Sequence, residues 1–467
     1  MTAGDPVALG TARGRWVLAA TVLASAMAFL DSTAVNVALP AIGTELDSSL
    51  SGLQWTVTGY TLSLASLILL GGALGDRYGR RRVFVVGVVW FAVASLVCGL
   101  AQSTGQLVAA RVLQGIGGAL LTPGSLSLIQ ASFRVQDRAR AIGLWSALAG
   151  VTSLGGPFVG GFLIDSVSWR LVFLVNVPLA AAVVWVSARH VPESRDPAHH
   201  GRFDVLGAVL AALALGGTTY ALITAGDGTG TAVWGTAAVG VGAAVGFVLR
   251  ERRAADPMLP LGVFTDRQFS GANLSTLAVY GALGGFSFFL VLQLQTVLGY
   301  DATAAGAATV PGIAVISLLS SSSGALAQRI GPRWPMTVGP LVAGSGLLLL
   351  SRVDAGSGYL TGVLPGVLLF GLGMALVATP LTATVLSAAP DHLVGVASGV
   401  NNAAARAAQL LAVAALPVAV GLSGADYADP DALTSGYALG MTLCAAVLAS
   451  GGVIALLTIR SDVLRAG

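Results

Sequence analysis

Charge-free apolar runs recur from one end of this chain to the other, separated only by short polar stretches. They fall near residues 16–38, 53–74, 83–101, 106–129, 141–164, 169–189, 203–224, 231–250, 268–298, 304–328, 335–352, 359–386, 397–421 and 436–459, fourteen in all. A helix needs ~20 apolar residues to cross the ~30 Å hydrocarbon layer of a bilayer, so each run is a candidate crossing. Of the 467 residues 55 % are hydrophobic and 10 % charged, against about 25 % charged in soluble proteins. A water-soluble globule is excluded, and the crossings leave no room for a large soluble domain. The first run is longer than a secretory h-region and lacks a cleavage site after it, so it is expected to stay as a membrane helix. Cys98 and Cys444 lie far apart within apolar runs, which excludes a disulfide framework or a cysteine-rich metal site.

The arginines set the orientation. The chain has 24 basic residues, all Arg, and short loops rich in Arg stay on the cytoplasmic side. With the N-terminus inside, 20 of the 24 fall in cytoplasmic stretches, while the opposite loops hold Arg170 and Arg352 beside acids such as Glu45, Asp47, Asp426, Asp429 and Asp431. Both termini are then cytoplasmic, and the net charge of +3 reflects topology rather than nucleic-acid binding. Trp16, Trp55, Trp169, Trp234 and Trp334 stand at run ends, where an aromatic belt is expected.

The second half echoes the first. GALGDRYGRRRVFVVG at 72–87 returns as GALAQRIGPRWPMTVG at 324–339, with eight of sixteen positions identical at an offset of 252. GIGGALLTP at 115–123 returns as GLGMALVATP at 371–380. The duplication therefore spans much more than one loop. The expected plan is a cytoplasmic N-terminus (1–15), a six-helix bundle (16–189), a linker region with two extra helices (190–267), a second six-helix bundle (268–459) and a cytoplasmic C-terminus (460–467).

Of the 21 acids, Asp31 is the one well inside a run. A buried carboxylate can be structural, satisfied by hydroxyls or an arginine, but intramembrane ionisable groups usually mark proton or substrate pathways. Its helical neighbours Ala24, Met27, Ala28, Ala34, Val35 and Ala38 form a face suited to close packing or to the edge of a cavity. Arg111 lies ~8 Å and Asp31 ~10 Å from the outer ends of their runs, depths that permit an ion pair. At the position matching Arg111 the second half has Val367. Arg406 sits ~14 Å from the cytoplasmic end of its run; deep in the membrane it would favour neutral or anionic cargo, whereas a shifted helix end would bring it to the interface. Most of the 62 glycines serve close helix packing. LGGPFVGG at 154–161 is more pointed, because Pro157 removes a donor and the glycines let the helix bend against a neighbour. Gly115, Gly117 and Gly118 lie in a membrane run with no strand before them, so a phosphate loop is excluded. His190, His199, His200 and His392 are expected in cytoplasmic loops, and no metal site is expected.

These motifs resemble the major facilitator superfamily, specifically its fourteen-helix drug:proton antiporter branch. GGALGDRYGRRR (71–82) is similar to the signature loop between helices 2 and 3, RVLQGIGGAL (111–120) to the helix 4 motif, GGPFVGG (155–161) to the helix 5 antiporter motif and LDSTAVNVALP (30–40) to the helix 1 motif. QWTVTGYTL (54–62), WRLVFLVNVP (169–178) and LQLQTVLGY (292–300) add to the likeness. The resemblance implies an all-α membrane fold of two six-helix bundles plus two inserted helices, rocking around a central site. It makes Asp31 the protonation site and Arg111 the residue that tunes or relays the proton. Gly72, Gly75, Asp76, Arg77, Gly79, Arg80 and Arg81 form the cytoplasmic gate, with Asp76 meeting the positive N-terminus of the helix near Ala397. Gly156, Pro157, Gly160 and Gly161 make the antiporter motif. Departures are Thr152 at a family glycine, Gln328 where the repeat matches Asp76, Arg406 displaced by one position, and a second bundle without a buried acid.

The expected function is proton-coupled efflux of small amphipathic molecules such as antibiotics or secondary metabolites, by a monomer in the cytoplasmic membrane that needs no cofactor. Its partners are the substrate, protons and the lipid bilayer, with no nucleic acid. Expected substrate contacts are Asn36, Tyr60, Trp145, Phe286, Phe289, Gln293 and Arg406. An importer or uniporter of a metabolite on the same fold is the alternative. An enzyme would have to work with Asp31, Arg111 and Arg406 alone, and a sensor would need an output domain.

Overall fold

The computed structural model describes residues 7–195, 204–226, 228, 230–254, 257, 259–389, 393–424 and 426–461. His199, His200 and His392 lie outside the described residues. The helices are α1 (Ala12–Glu45), α2 (Leu50–Tyr78), α3 (Arg80–Gly99), α4 (Thr104–Ser132), α5 (Val135–Ser166), α6 (Arg170–Leu174), α7 (Asn176–His190), α8 (Val205–Ala225), α9 (Thr231–Arg253), α10 (Arg267–Leu292), α11 (Ala302–Ile330), α12 (Arg333–Leu350), α13 (Leu364–Ser387), α14 (Val394–Ala419) and α15 (Pro430–Thr458). Single π turns extend α10 at Gln293–Val297 and precede α13 at Tyr359–Val363. Backbone groups in a bilayer must be satisfied within the segment, which is why apolar runs of this length become helices.

Among the described residues, eleven helices are long and apolar enough to cross a membrane, or twelve with the bent α2. α12, whose 18 residues include Arg333 and two prolines, is not one of these. α1 runs to Glu45, past the expected end at residue 38, so Asp31 lies ~21 Å from that end rather than near it. His190 closes α7 instead of lying in a loop, and its ring stacks on Trp16. Trp169 departs from the belt expectation. It is 2 % exposed, and its indole N–H donates to Glu45 at 2.7 Å while the Arg170 guanidinium pairs with the same carboxylate.

Two compact units are present, Met1–Ser48 with Trp55–Ala212 and Ser49–Gln54 with Leu213–Gly467, the division falling within α8. In the first, α3 packs on α4 and α7, and α1 on α5 and α7. In the second, α12 packs on α13 and α15, and α10 on α14 and α15. Each pair is the counterpart of one in the first unit, so the sequence repeat is a packing repeat. Glycines set the closest approaches, as expected where lipid tails give helices no hydrophobic reason to associate and van der Waals contact must do so. A Cβ on Gly117 would lie 2.6 Å from the Phe91 backbone nitrogen of α3, and one on Gly373 2.7 Å from Ala343 Cα of α12. α3 shows the inside-out arrangement clearly: Phe84, Val88, Phe91 and Cys98 are buried, while Val86, Val89, Val93 and Leu100 face outward.

Candidate functional site

Inside the first unit five helices bring polar side chains to one dry point. α1 carries Asp31 and α4 carries Arg111 and Gln114, one turn apart; α3 supplies Ser95, α2 the Thr56 carbonyl, and α7 begins at Asn176. Asp31 and Arg111 are 0 % and 1 % exposed and form an ion pair with Nη1 to Oδ2 at 2.5 Å. Arg111 also donates through Nε to the Thr56 carbonyl at 3.0 Å and through Nη1 to Gln114 Oε1 at 2.6 Å. Its guanidinium lies 4.4 Å from the centre of the Tyr60 ring, a cation–π contact. Gln114 Nε2 donates to Asp31 Oδ1 at 2.7 Å and to Ser95 Oγ at 2.6 Å. Asn176 Nδ2 donates to Ser95 Oγ at 3.1 Å and, more distantly, to Asp31 Oδ1 at 3.4 Å, while Asn176 Oδ1 is buried with no partner among the described residues.

Two opposite charges this deep repay their desolvation only when each is fully hydrogen-bonded, and the two amides meet that demand here. The structure joins the two charged residues expected from the sequence. It adds Gln114, Asn176 and Ser95, on which sequence reasoning did not settle, since amides and hydroxyls are common in membrane helices and their spacing does not tie them together. Their signal was available, because Gln114 sits in RVLQGIGGAL and Asn176 in WRLVFLVNVP.

The α2–α3 turn holds the residues expected at the gate. Arg80 Nε pairs with Asp76 Oδ1 at 2.8 Å, and Arg77 lies over the Tyr78 ring. Gly79 has φ +114°, a conformation that favours glycine, and a Cβ there would lie 2.7 Å from Glu193 Oε1. Gly75 approaches Arg80, and Gly72 approaches Pro123 of α4. Glu193, just past α7, is the residue sequence reasoning missed: its Oε1 accepts the Arg81 backbone N–H at 3.1 Å, and its carboxylate lies 3.8 Å from the Nε atoms of Arg81 and Arg82. Arg81 Nη1 also donates to the Val191 carbonyl at 3.1 Å. Glu193→Ala should cost about 1 kcal/mol through the lost acceptor and lower the thermal unfolding midpoint in detergent. Glu193→Gln keeps that acceptor and should cost less.

The antiporter-motif glycines pack α5 on α1. A Cβ on Gly160 would lie 2.5 Å from that of Ala34, and one on Gly156 would strike Thr33 Oγ1. Pro157 and Gly161 are buried beside them. Trp145 of α5 donates to Ser25 Oγ of α1 at 3.0 Å, and Asn36 donates to the Ser32 carbonyl of its own helix at 3.2 Å. In the second unit Phe286 stacks on Phe370 with centroids 4.1 Å apart. Phe289 is fully buried beside Gly440. Gln293, also buried, donates to the Val353 carbonyl at 3.0 Å. Arg406 is half-buried near the middle of α14.

Residues 21–413 match the family model described as Major Facilitator Superfamily. The chain is 38 % identical over 393 residues to a protein named multidrug resistance protein Stp from Mycobacterium tuberculosis (strain CDC 1551 / Oshkosh), covering 83 % of this chain and 72 % of that one. It is 38 % identical over 414 residues to the tetracenomycin C resistance and export protein of Streptomyces glaucescens, covering 87 % and 76 %. In fold it is similar to the inward-facing, unoccupied crystal structure of a bacterial homolog to human lysosomal transporter Spinster, with a TM-score of 0.66 at 18 % identity over 96 % of this chain and 98 % of that one.

Proposed function

Because the chain belongs to the Major Facilitator Superfamily, we propose that it exports small amphipathic molecules, antibiotics among them, in exchange for protons. Relatives named for multidrug resistance and for antibiotic resistance and export support the efflux direction. The observation that carries the coupling is the fully buried Asp31–Arg111 pair, held by groups from five helices. Ionised, Asp31 holds α1 to α4 by an attraction on the order of a few kcal/mol. A proton on the carboxylate removes that attraction and turns one oxygen into a donor. The Asn176 amide oxygen has no partner among the described residues, so a turn of its amide would accept the new O–H. The network thus satisfies either protonation state, and protonation changes how tightly α1 and α4 are tied.

The reading extends to a fourteen-helix, six-two-six organisation with both termini cytoplasmic, and to a monomer in the cytoplasmic membrane. The α2–α3 turn with Asp76 and Arg80 acts as cytoplasmic gate, and the α1–α5 glycine contact is where packing slides as access alternates. Substrate meets Asn36, Tyr60, Trp145, Phe286 and Arg406, with Phe289 and Gln293 reached in another access state. To test this, energised everted vesicles carrying a pH-sensitive dye receive cationic, neutral and anionic antibiotics in turn. Substrate-dependent proton release is expected. Substrate that equilibrates without any proton movement would sink the antiport reading in favour of a uniporter.

A further inference from the structure

The internal repeat aligns Gly79 with Gly331 and Arg81 with Arg333, and the backbone follows the alignment. Both glycines precede a helix and have positive φ, +114° and +91°. Each lies against the segment that follows its unit's last helix, Gly79 against Glu193 and Gly331 against Ser461. In the first unit the Glu193 carboxylate occupies that position and faces Arg81 and Arg82. In the second unit the backbone of Ser461, a neutral residue, stands there, and Arg333 Nε is buried without a partner among the described residues. The same repeat has lost one charge and kept the other.

Arg333 and Ser461 also line an open cavity of about 680 Å³. Its walls include Asp266, Arg267, Gln268, Arg333, Arg460 and Ser461. Gln268 is 7 % exposed; its Oε1 accepts the Arg460 backbone N–H at 3.2 Å, and its Nε2 is buried with no partner among the described residues. Arg267 Nη2 reaches the Leu457 carbonyl at 2.8 Å. Asp266, the one acid among the described lining residues, is engaged as the N-cap of α10 and accepts the Phe269 N–H at 2.7 Å. Among the described residues, three guanidinium groups, one carboxylate and two buried donors without a partner therefore surround the cavity.

We propose that this cavity binds a phosphate-bearing anion, which supplies in the second unit the negative charge that Glu193 supplies in the first. Guanidinium groups suit a phosphate because their N–H donors match its oxygens in pairs. In the orientation proposed above, this end faces the cytoplasmic leaflet, where basic pockets between membrane helices take anionic headgroups. A free phosphate offers the same chemistry. The proposal requires neither efflux nor proton coupling, so its failure and theirs are separable.

The full-length protein in neutral detergent is titrated with phosphatidylglycerol, phosphatidylcholine and inorganic phosphate while the thermal unfolding midpoint is followed. The midpoint should rise with phosphatidylglycerol and not with phosphatidylcholine. Arg333→Gln should weaken the half-saturating concentration by about tenfold or more. Ser461→Glu, which restores the carboxylate of the first unit, should raise the midpoint without ligand and abolish the response, and this variant keeps the test open if Arg333→Gln folds poorly. A matching response to inorganic phosphate identifies the anion as free phosphate; a response to the lipid alone identifies a headgroup. The proposal is overturned if phosphatidylcholine protects equally, if neither anion protects, or if Ser461→Glu responds like wild type.

Discussion

Asp31→Asn is expected to abolish substrate-dependent proton release while leaving enough folded, inserted protein to assay. Arg111 would keep the Thr56 carbonyl, Gln114 Oε1 and the face of Tyr60, and the new amide oxygen could accept where the carboxylate did. The loss falls on energetics of transport. One charge moved through ~100 mV is worth about 2.3 kcal/mol, on the order of fortyfold accumulation, and without a titrating group that gradient should collapse towards equilibration. Arg111→Leu should behave differently. It strands a carboxylate with two neutral amides, and removing one partner of a buried pair costs about 3–5 kcal/mol. Folded yield should therefore fall far more than for Asp31→Asn, and the double variant Asp31→Asn/Arg111→Gln should recover much of it. Size-exclusion profiles of fluorescent fusions measure the yields, and dye-loaded vesicles the coupling. Full coupling in Asp31→Asn would remove Asp31 from the mechanism.

Gly117→Leu and Gly373→Leu should each destabilise the protein by about 3 kcal/mol or more, because a Cβ at either position runs into backbone of the neighbouring helix. A flexible side chain could move aside; the Phe91 nitrogen in α3 and Ala343 Cα in α12 cannot do so without separating the helices. Gly143, with nothing within 4 Å of its Cβ position, is the control, and Gly143→Ala should be nearly neutral. Equal effects at matched positions of the two halves would show that the packing repeat is also an energetic one. Unfolding midpoints indistinguishable from wild type would instead mean that these helices are not held at the glycines.

The backbone turn at Gly79 and the close α1–α5 contact were legible because their signals are local. Gly79 requires a positive φ, Arg80 pairs with Asp76 four residues earlier, and Gly156 and Gly160 recur at helical spacing. The same holds for the helices, whose apolar runs must satisfy their own backbone in lipid whatever surrounds them. Helix ends were less legible, because a residue such as Glu45 can end a run and still continue a helix when Trp169 and Arg170 meet its carboxylate.

By itself the sequence determined a membrane-embedded, all-helical chain with an internal repeat and a charge in each of two helices, since hydropathy and period are properties of single segments. Tertiary structure alone decided that Asp31 meets Arg111, that Gln114, Asn176 and Ser95 complete the pair's hydrogen bonding, and that Glu193 answers Arg81 while Arg333 Nε has no partner among the described residues. Those contacts join residues about eighty or more positions apart, except Gln114 to Arg111 and to Ser95. Which helices come close enough to make them depends on glycine contacts between elements, and no periodicity within one element encodes that.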